Sequence, residues 1–223
     1  MPLLQIDDTT RDAHSFLRRD DLCWYCGDYT ARGGFACSPI NDLVSNFKKP
    51  VSRRGRAEYR YKERAIETVG RDFRNAFIPD AFHQGTFVPV PPSKARTDPE
   101  YDDRMVLALG HMAALVQADL NIRADVRELV LQRESYVASH LNPDHRMRAE
   151  DLIPLYAINE PIAAPAPSHI LVVDDLLTTG SHFVAMKTVL QTRYPNAWIG
   201  GLFIGRRRPT DDAFQAIPEA TDF

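Results

Sequence analysis

A chain of 223 residues and 25.2 kDa is long enough for one hydrophobic core with a small extra lobe, which excludes an array of independent domains. Hydrophobic residues at 44% and charged residues at 26% exclude wholesale disorder, and no run approaches the ~18 consecutive apolar residues of a membrane helix. The net charge of -3 argues against a general nucleic-acid binder, although ten basic residues against four acidic ones between Lys48 and Arg74 form a positive segment within that average. The opening MPLLQIDDTTRDAH lacks a basic region followed by an apolar core, so a cytoplasmic chain is expected, and Cys23, Cys26 and Cys37 are expected to be reduced thiols.

The aromatics and paired glycines of residues 22–37 suggest a hairpin. Ser38 followed by Pro39 is an N-cap with proline at the first helical position, opening a short helix that closes near Lys48 and Lys49 before Pro50. Over 56–77, Tyr61, Ala65, Val69, Phe73 and Phe77 recur every fourth residue, which predicts an amphipathic helix whose other face is basic.

From there the chain alternates. Residues 86–91 read as a short apolar strand, 103–118 as a helix with Met105, Leu109, Met112 and Val116 on one face, and 126–132 as a strand followed by a polar loop over 133–148. A strand at 155–158, a fully apolar β-branched run at 170–173, a helix over 181–193 and a last strand at 197–204 complete the order of an α/β protein with a parallel sheet and right-handed crossovers.

The run HILVVDDLLTTGSH, residues 169–182, carries the chemistry. A buried strand ends at Asp174 and Asp175, and the hydroxyls of Thr178, Thr179 and Ser181 then converge at a helix N-terminus whose dipole favours an anion. Gly180 permits close backbone approach. The two carboxylates suit vicinal sugar hydroxyls and a hard cation, held directly or through water. A phosphorylated sugar satisfies both halves. A bacterial receiver domain opens with a similar strand but needs ~100 further residues, more than follow Asp174. A Walker B strand would need a GxxxxGK[ST] loop, which the chain lacks.

Strand, acidic pair, TTG and helix together resemble the signature with which type I phosphoribosyltransferases bind 5-phosphoribosyl-1-pyrophosphate (PRPP). Over about residues 86–205 the chain is most similar to the competence-protein-F-like (ComF-like) branch, with FVPVPPSK matching that branch's PVP-x-SK strand and loop. The resemblance implies a type I phosphoribosyltransferase fold: a mainly parallel twisted sheet flanked by helices, spanning residues 81–208. An N-terminal hood-like lobe over 1–80 and a tail over 209–223 would complete the chain. It further implies magnesium and PRPP as ligands, with transfer of the phosphoribosyl group to a nitrogen acceptor. Asp174 and Asp175 would hold ribose hydroxyls and magnesium. Residues 176–182 (Leu176, Leu177, Thr178, Thr179, Gly180, Ser181 and His182) would hold the 5-phosphate, and Ser93, Lys94 and Arg104 the pyrophosphate. Where the branch has an RGFN-like stretch this chain has Tyr101-Asp102-Asp103-Arg104. His140, with His145 and Arg146, falls in the expected catalytic loop.

Other features have plainer accounts. Cys23-x-x-Cys26 with Cys37 is similar to a ComF-like zinc finger but offers three ligands, with His14 a distant fourth, so buried thiols are the favoured reading. The basic helical face is read as solvated in preference to a nucleic-acid surface, Asp102 and Asp103 as helix caps, and Arg206, Arg207 and Arg208 as a solvated strand end. A protein partner on the N-terminal lobe and a homodimer or larger complex are expected. A PRPP-sensing module and a nucleic-acid-processing accessory protein are the alternative functions.

Overall fold

The computed structural model describes residues 2–136 and 147–208. Strands β1 (Leu4–Gln5), β2 (Cys23–Tyr25), β3 (Asp28–Thr30), β4 (Gly85–Pro89), β5 (Asp125–Val126), β8 (His169–Leu177) and β9 (Trp198–Arg208) form one seven-stranded sheet in the order β1-β2-β9-β8-β4-β5, with β3 also paired to β9. Every pairing is parallel except β1 with β2. Strands β6 (Val130–Gln132) and β7 (Tyr156–Ile158) make a separate antiparallel ribbon. The sequence reading of one strand over 126–132 therefore divides: the chain leaves the main sheet after Val126 and re-pairs four residues later.

Strand β8 occupies the centre because both of its faces are apolar. Ile170 and Val172 enter one core cluster and Leu171 and Val173 the other, as a buried parallel strand requires. Each such side chain contributes about 1.5–3 kcal/mol by burial before its ordering cost. Helices α1 (Pro39–Phe47), α2 (Arg60–Ala76), α3 (Pro79–Gln84), α4 (Arg104–Leu120), the short α5 (Ala149–Leu152) and α6 (Ser181–Arg193) flank the sheet. Ser38 caps α1 by accepting from Asn41 N–H at 3.0 Å, with Pro39 opening the helix as read from the sequence.

The hairpin expected over 22–37 is not formed. Both β2 and β3 run in the same direction along β9, because the apolar β9 presents a free edge that a local hairpin would leave unpaired. Residues of the N-terminal third thus enter the central sheet. Helix α2 buries Ala65, Ile66, Val69 and Phe73, and lies so close to α4 that a Cβ on Gly70 would stand 2.7 Å from the Ala108 carbonyl oxygen. The expected stripe fails at its first member: Tyr61 is exposed beneath Lys49 and Arg60, and Lys62 takes the inward position.

Arg206 is likewise not a solvated strand end. It is buried, lies over the Tyr25 ring at 5.2 Å, and pairs with Asp28 at 2.8 Å, because β3 runs beside the last residues of β9.

Candidate functional site

In parallel α/β sheets the carboxyl edge gathers loops that follow neighbouring strands. Here that edge collects the acidic pair of β8, the 90–98 loop after β4 and the N-termini of α4 and α6. Strand β8 extends past the acidic pair, contrary to a strand end at Asp175: Leu176 and Leu177 still pair with Gly205 and Arg206, and Leu177 is buried in the core. These two leucines offer the site backbone only, while Asp174 and Asp175 point from opposite faces of the strand.

Asp175 is buried, and each of its oxygens accepts from a cation. Lys48 Nζ donates to its Oδ1 at 3.0 Å and Arg104 Nη2 to its Oδ2 at 2.7 Å. Arg104 Nη1 donates in turn to Asp102 Oδ2 at 2.6 Å, which also accepts from the buried Lys62 Nζ at 2.6 Å; Lys62 donates a further bond to the Lys49 carbonyl. The Arg104 guanidinium lies over the Phe47 ring at 5.7 Å. Asp102 is therefore an ion-pair hub whose Oδ1 also accepts from the Arg104 N–H at 3.3 Å at the start of α4, whereas Asp103, at the N-cap position, makes no side-chain cap.

Asp174 has a different setting. Its Oδ1 accepts from the Asp175 N–H at 2.7 Å, and burial, followed by the charge of Asp175, pushes its carboxyl up to about 7. The Asp174 charge in turn helps raise the phenols of Tyr136 and Tyr156, which burial raises first.

The polar loop that follows is held from the N-terminus of the chain. His14 Nδ1–H donates to the Thr178 carbonyl and the Phe16 N–H to the Thr179 carbonyl, the latter at 2.9 Å. Leu17 lies against Gly180, whose φ of 88° is in the left-handed region and where a Cβ would meet Leu17 Cδ2 at 2.8 Å. Gly180 is the N-cap of α6 and no side chain caps that helix, so its first-turn N–H groups carry the partial positive charge of an uncapped end. Thr179 and Ser181 hydroxyls meet at 3.4 Å beside them. A narrow crevice runs from Asp174 past Thr178, Gly180 and Ser181 to Phe203.

His182 also lines this crevice. Its Nδ1 is 3.0 Å from the Tyr156 hydroxyl, and burial pushes its ring down to about 4, so it is neutral and brings no charge to the loop. Ser93 accepts through its carbonyl from the Tyr136 N–H at 2.9 Å, and Lys94 faces Asp98 at 3.5 Å, both on the edge shared with Asp174. His140, His145 and Arg146 lie outside the described residues.

Lys48, Lys62, Tyr136, Tyr156 and the 14–17 segment escaped the sequence reading. Lys48 and Asp175 stand 127 positions apart, and no periodicity links them; the only signal was the Lys48-Lys49 pair at a helix end before Pro50. Cys23 and Cys26 lie in different core clusters, on opposite faces of the sheet, and Cys37 is exposed; among the described residues no three metal-ligating side chains come together.

Fold and site together define an α/β protein with a mostly parallel sheet, an acidic pair on its central strand and an uncapped helix N-terminus beyond it. Among the described residues no helix is long and apolar enough to cross a membrane. No family model matches the chain, and a search of curated proteins finds no match either.

Proposed function

We propose that the chain binds PRPP with magnesium on this edge and transfers the phosphoribosyl group to a nitrogen acceptor, with release of pyrophosphate. One observation carries the reading: a partly neutral and an ionised carboxyl, an uncapped helix N-terminus with adjacent hydroxyls, and the cations Lys48 and Arg104 converge within one sheet edge. The 5-phosphate would take the loop from Thr178 to Ser181, where N–H groups and hydroxyls suit its oxygens. Ribose hydroxyls would donate to Asp174, and the diphosphate would lie towards Arg104, Lys48 and Lys94.

Magnesium fits this arrangement as a cation completed by its ligand. Two carboxylates are too few for an all-protein site, and a magnesium ion ordinarily takes one or two carboxylates and fills its remaining positions with phosphate oxygens and water. When bound, it would offset charge developing on the leaving diphosphate. In the reaction the nitrogen lone pair forms the bond to the anomeric carbon while the carbon–oxygen bond breaks. That bond's electrons leave with pyrophosphate, and the nitrogen's proton passes to water or a base.

Calorimetric titration with PRPP, with and without magnesium, followed by a pyrophosphate-release assay over bases and amines, tests the proposal. Magnesium-dependent binding with release is expected, and an absence of PRPP binding overturns it. Binding without release for any acceptor would favour a sensing module, a reading that the pairing of Asp175 with both Lys48 and Arg104 also supports.

A further inference from the structure

The two cations on Asp175 are held very differently. Arg104 is fixed from three sides, by Asp175, by Asp102 and by the face of Phe47. Lys48 stands at the C-terminal end of α1 with its side chain 35% exposed, and among the described residues Asp175 is the one hydrogen-bond partner of its ammonium. A lysine ammonium on a four-carbon stem can swing by several ångströms without moving the helix that carries it, whereas a bidentate, stacked guanidinium cannot.

With each oxygen of Asp175 engaged by a cation, a hard metal ion approaching alone meets like charge. Loss of Lys48 alone would leave the buried Asp175 with Arg104 as its single counter-ion, so the pair opens most readily by exchange, the carboxylate receiving a new cation as it loses the old one. A magnesium-complexed diphosphate offers that exchange: the metal replaces the ammonium on Asp175, and the diphosphate oxygens receive the ammonium.

We infer that Lys48 is a diphosphate-binding residue stored on Asp175 in the empty protein, and that its transfer to the incoming diphosphate uncovers the carboxylate, so that metal and diphosphate bind together. The inference rests on the PRPP reading and adds to it a binding residue from α1, outside the acidic-pair and TTG motif. It also gives an order: metal alone binds weakly and diphosphate admits it.

Manganese titrated alone and with inorganic pyrophosphate, its free signal followed by electron paramagnetic resonance, tests the exchange in the wild type, Lys48→Met and Lys48→Arg. Thermal unfolding of each variant confirms that it is folded. In Lys48→Met, manganese alone is expected to bind about tenfold tighter than in the wild type, and the enhancement by pyrophosphate is expected to disappear, in the range of ordinary coupling between two ligands. Lys48→Arg should keep the wild-type order. Manganese binding that is unchanged or weaker in Lys48→Met would overturn the exchange, whether or not PRPP binds. Tighter manganese binding in that variant, with pyrophosphate enhancement but no PRPP binding in the wild type, would retain the exchange and overturn the PRPP reading instead.

Discussion

Asp174 and Asp175 are consecutive on β8, yet their protons are held in opposite directions. Burial and the charge of its neighbour push Asp174 up to about 7, while Lys48 and Arg104 outweigh the burial of Asp175 and hold it well below the usual carboxylate range. One carboxyl is poised near neutrality and the other is an anchored anion.

That difference gives Asp174 a definite effect on stability. Its folded-state value lies above the ordinary 3.8, so its neutral form stabilises the fold fully below about pH 4, and this contribution is lost as the pH rises towards about 7. Asp174→Asn should therefore stabilise the protein by an amount that grows between pH 4 and pH 7 and levels off at about 4 kcal/mol above it. Urea unfolding at several pH values checks this, and a constant difference across pH would contradict it.

The neighbouring substitution should do the reverse. Asp175→Asn leaves Lys48 and Arg104 without their shared counter-ion and should cost about 2–3 kcal/mol at neutral pH, somewhat less than a fully buried pair because Lys48 can turn to solvent. The same unfolding measurement, run on both asparagine variants, should give opposite signs.

Lys62 and Asp102 should behave as one unit. Lys62 is buried with Asp102 and a backbone carbonyl as its acceptors, so Asp102→Ala strands its charge, whereas Lys62→Ala leaves Asp102 paired with Arg104 alone. A double-mutant cycle over Lys62→Ala and Asp102→Ala is expected to show a coupling of about 2 kcal/mol. A coupling near zero would contradict a buried Lys62–Asp102 pair.

Much of this architecture was readable and some was not. The N-cap of α1, the spacing of α4 and α6 and the apolar run of β8 are local properties, and they appear where the sequence put them. The partners of β2 and β3 are not local. Cys-Trp-Tyr and Asp-Tyr-Thr read equally well as two arms of a hairpin or as two additions to a distant edge, and only the unpaired side of β9 decides between them. The acidic pair was legible as a motif. Its division into an anchored and a poised member was not, since Lys48 and Arg104 reach it across 127 and 71 positions.

Thiol reactivity offers an independent check on where β2 lies. Burial pushes the Cys23 and Cys26 thiols up to about 12, while Cys37 is exposed. In the native protein at mildly alkaline pH one thiol should react rapidly with an aromatic disulfide reagent, and Cys37→Ser should abolish that phase. Rapid reaction of two or three thiols would contradict the placement of β2 inside the sheet.

Gly180→Ala should be costly for two separable reasons. The left-handed backbone costs any side chain about 1 kcal/mol, and the new methyl group meets Leu17. In a Leu17→Ala background only the first cost should remain, and thermal unfolding of the four variants separates the two.

The contacts of His14, Phe16 and Leu17 with Thr178, Thr179 and Gly180 also bear on how the protein is made. His14 leaves the ribosome 164 residues before Thr178, and β2 and β3 emerge long before β9, the strand they pair with. At translation rates of about 5–20 residues per second, the first segment waits on the order of ten seconds or more for its partners. During that interval the aromatic stretch around Trp24 and Tyr25 is without its sheet. The loop after β8 and the 14–17 segment set one another only once β8 has emerged.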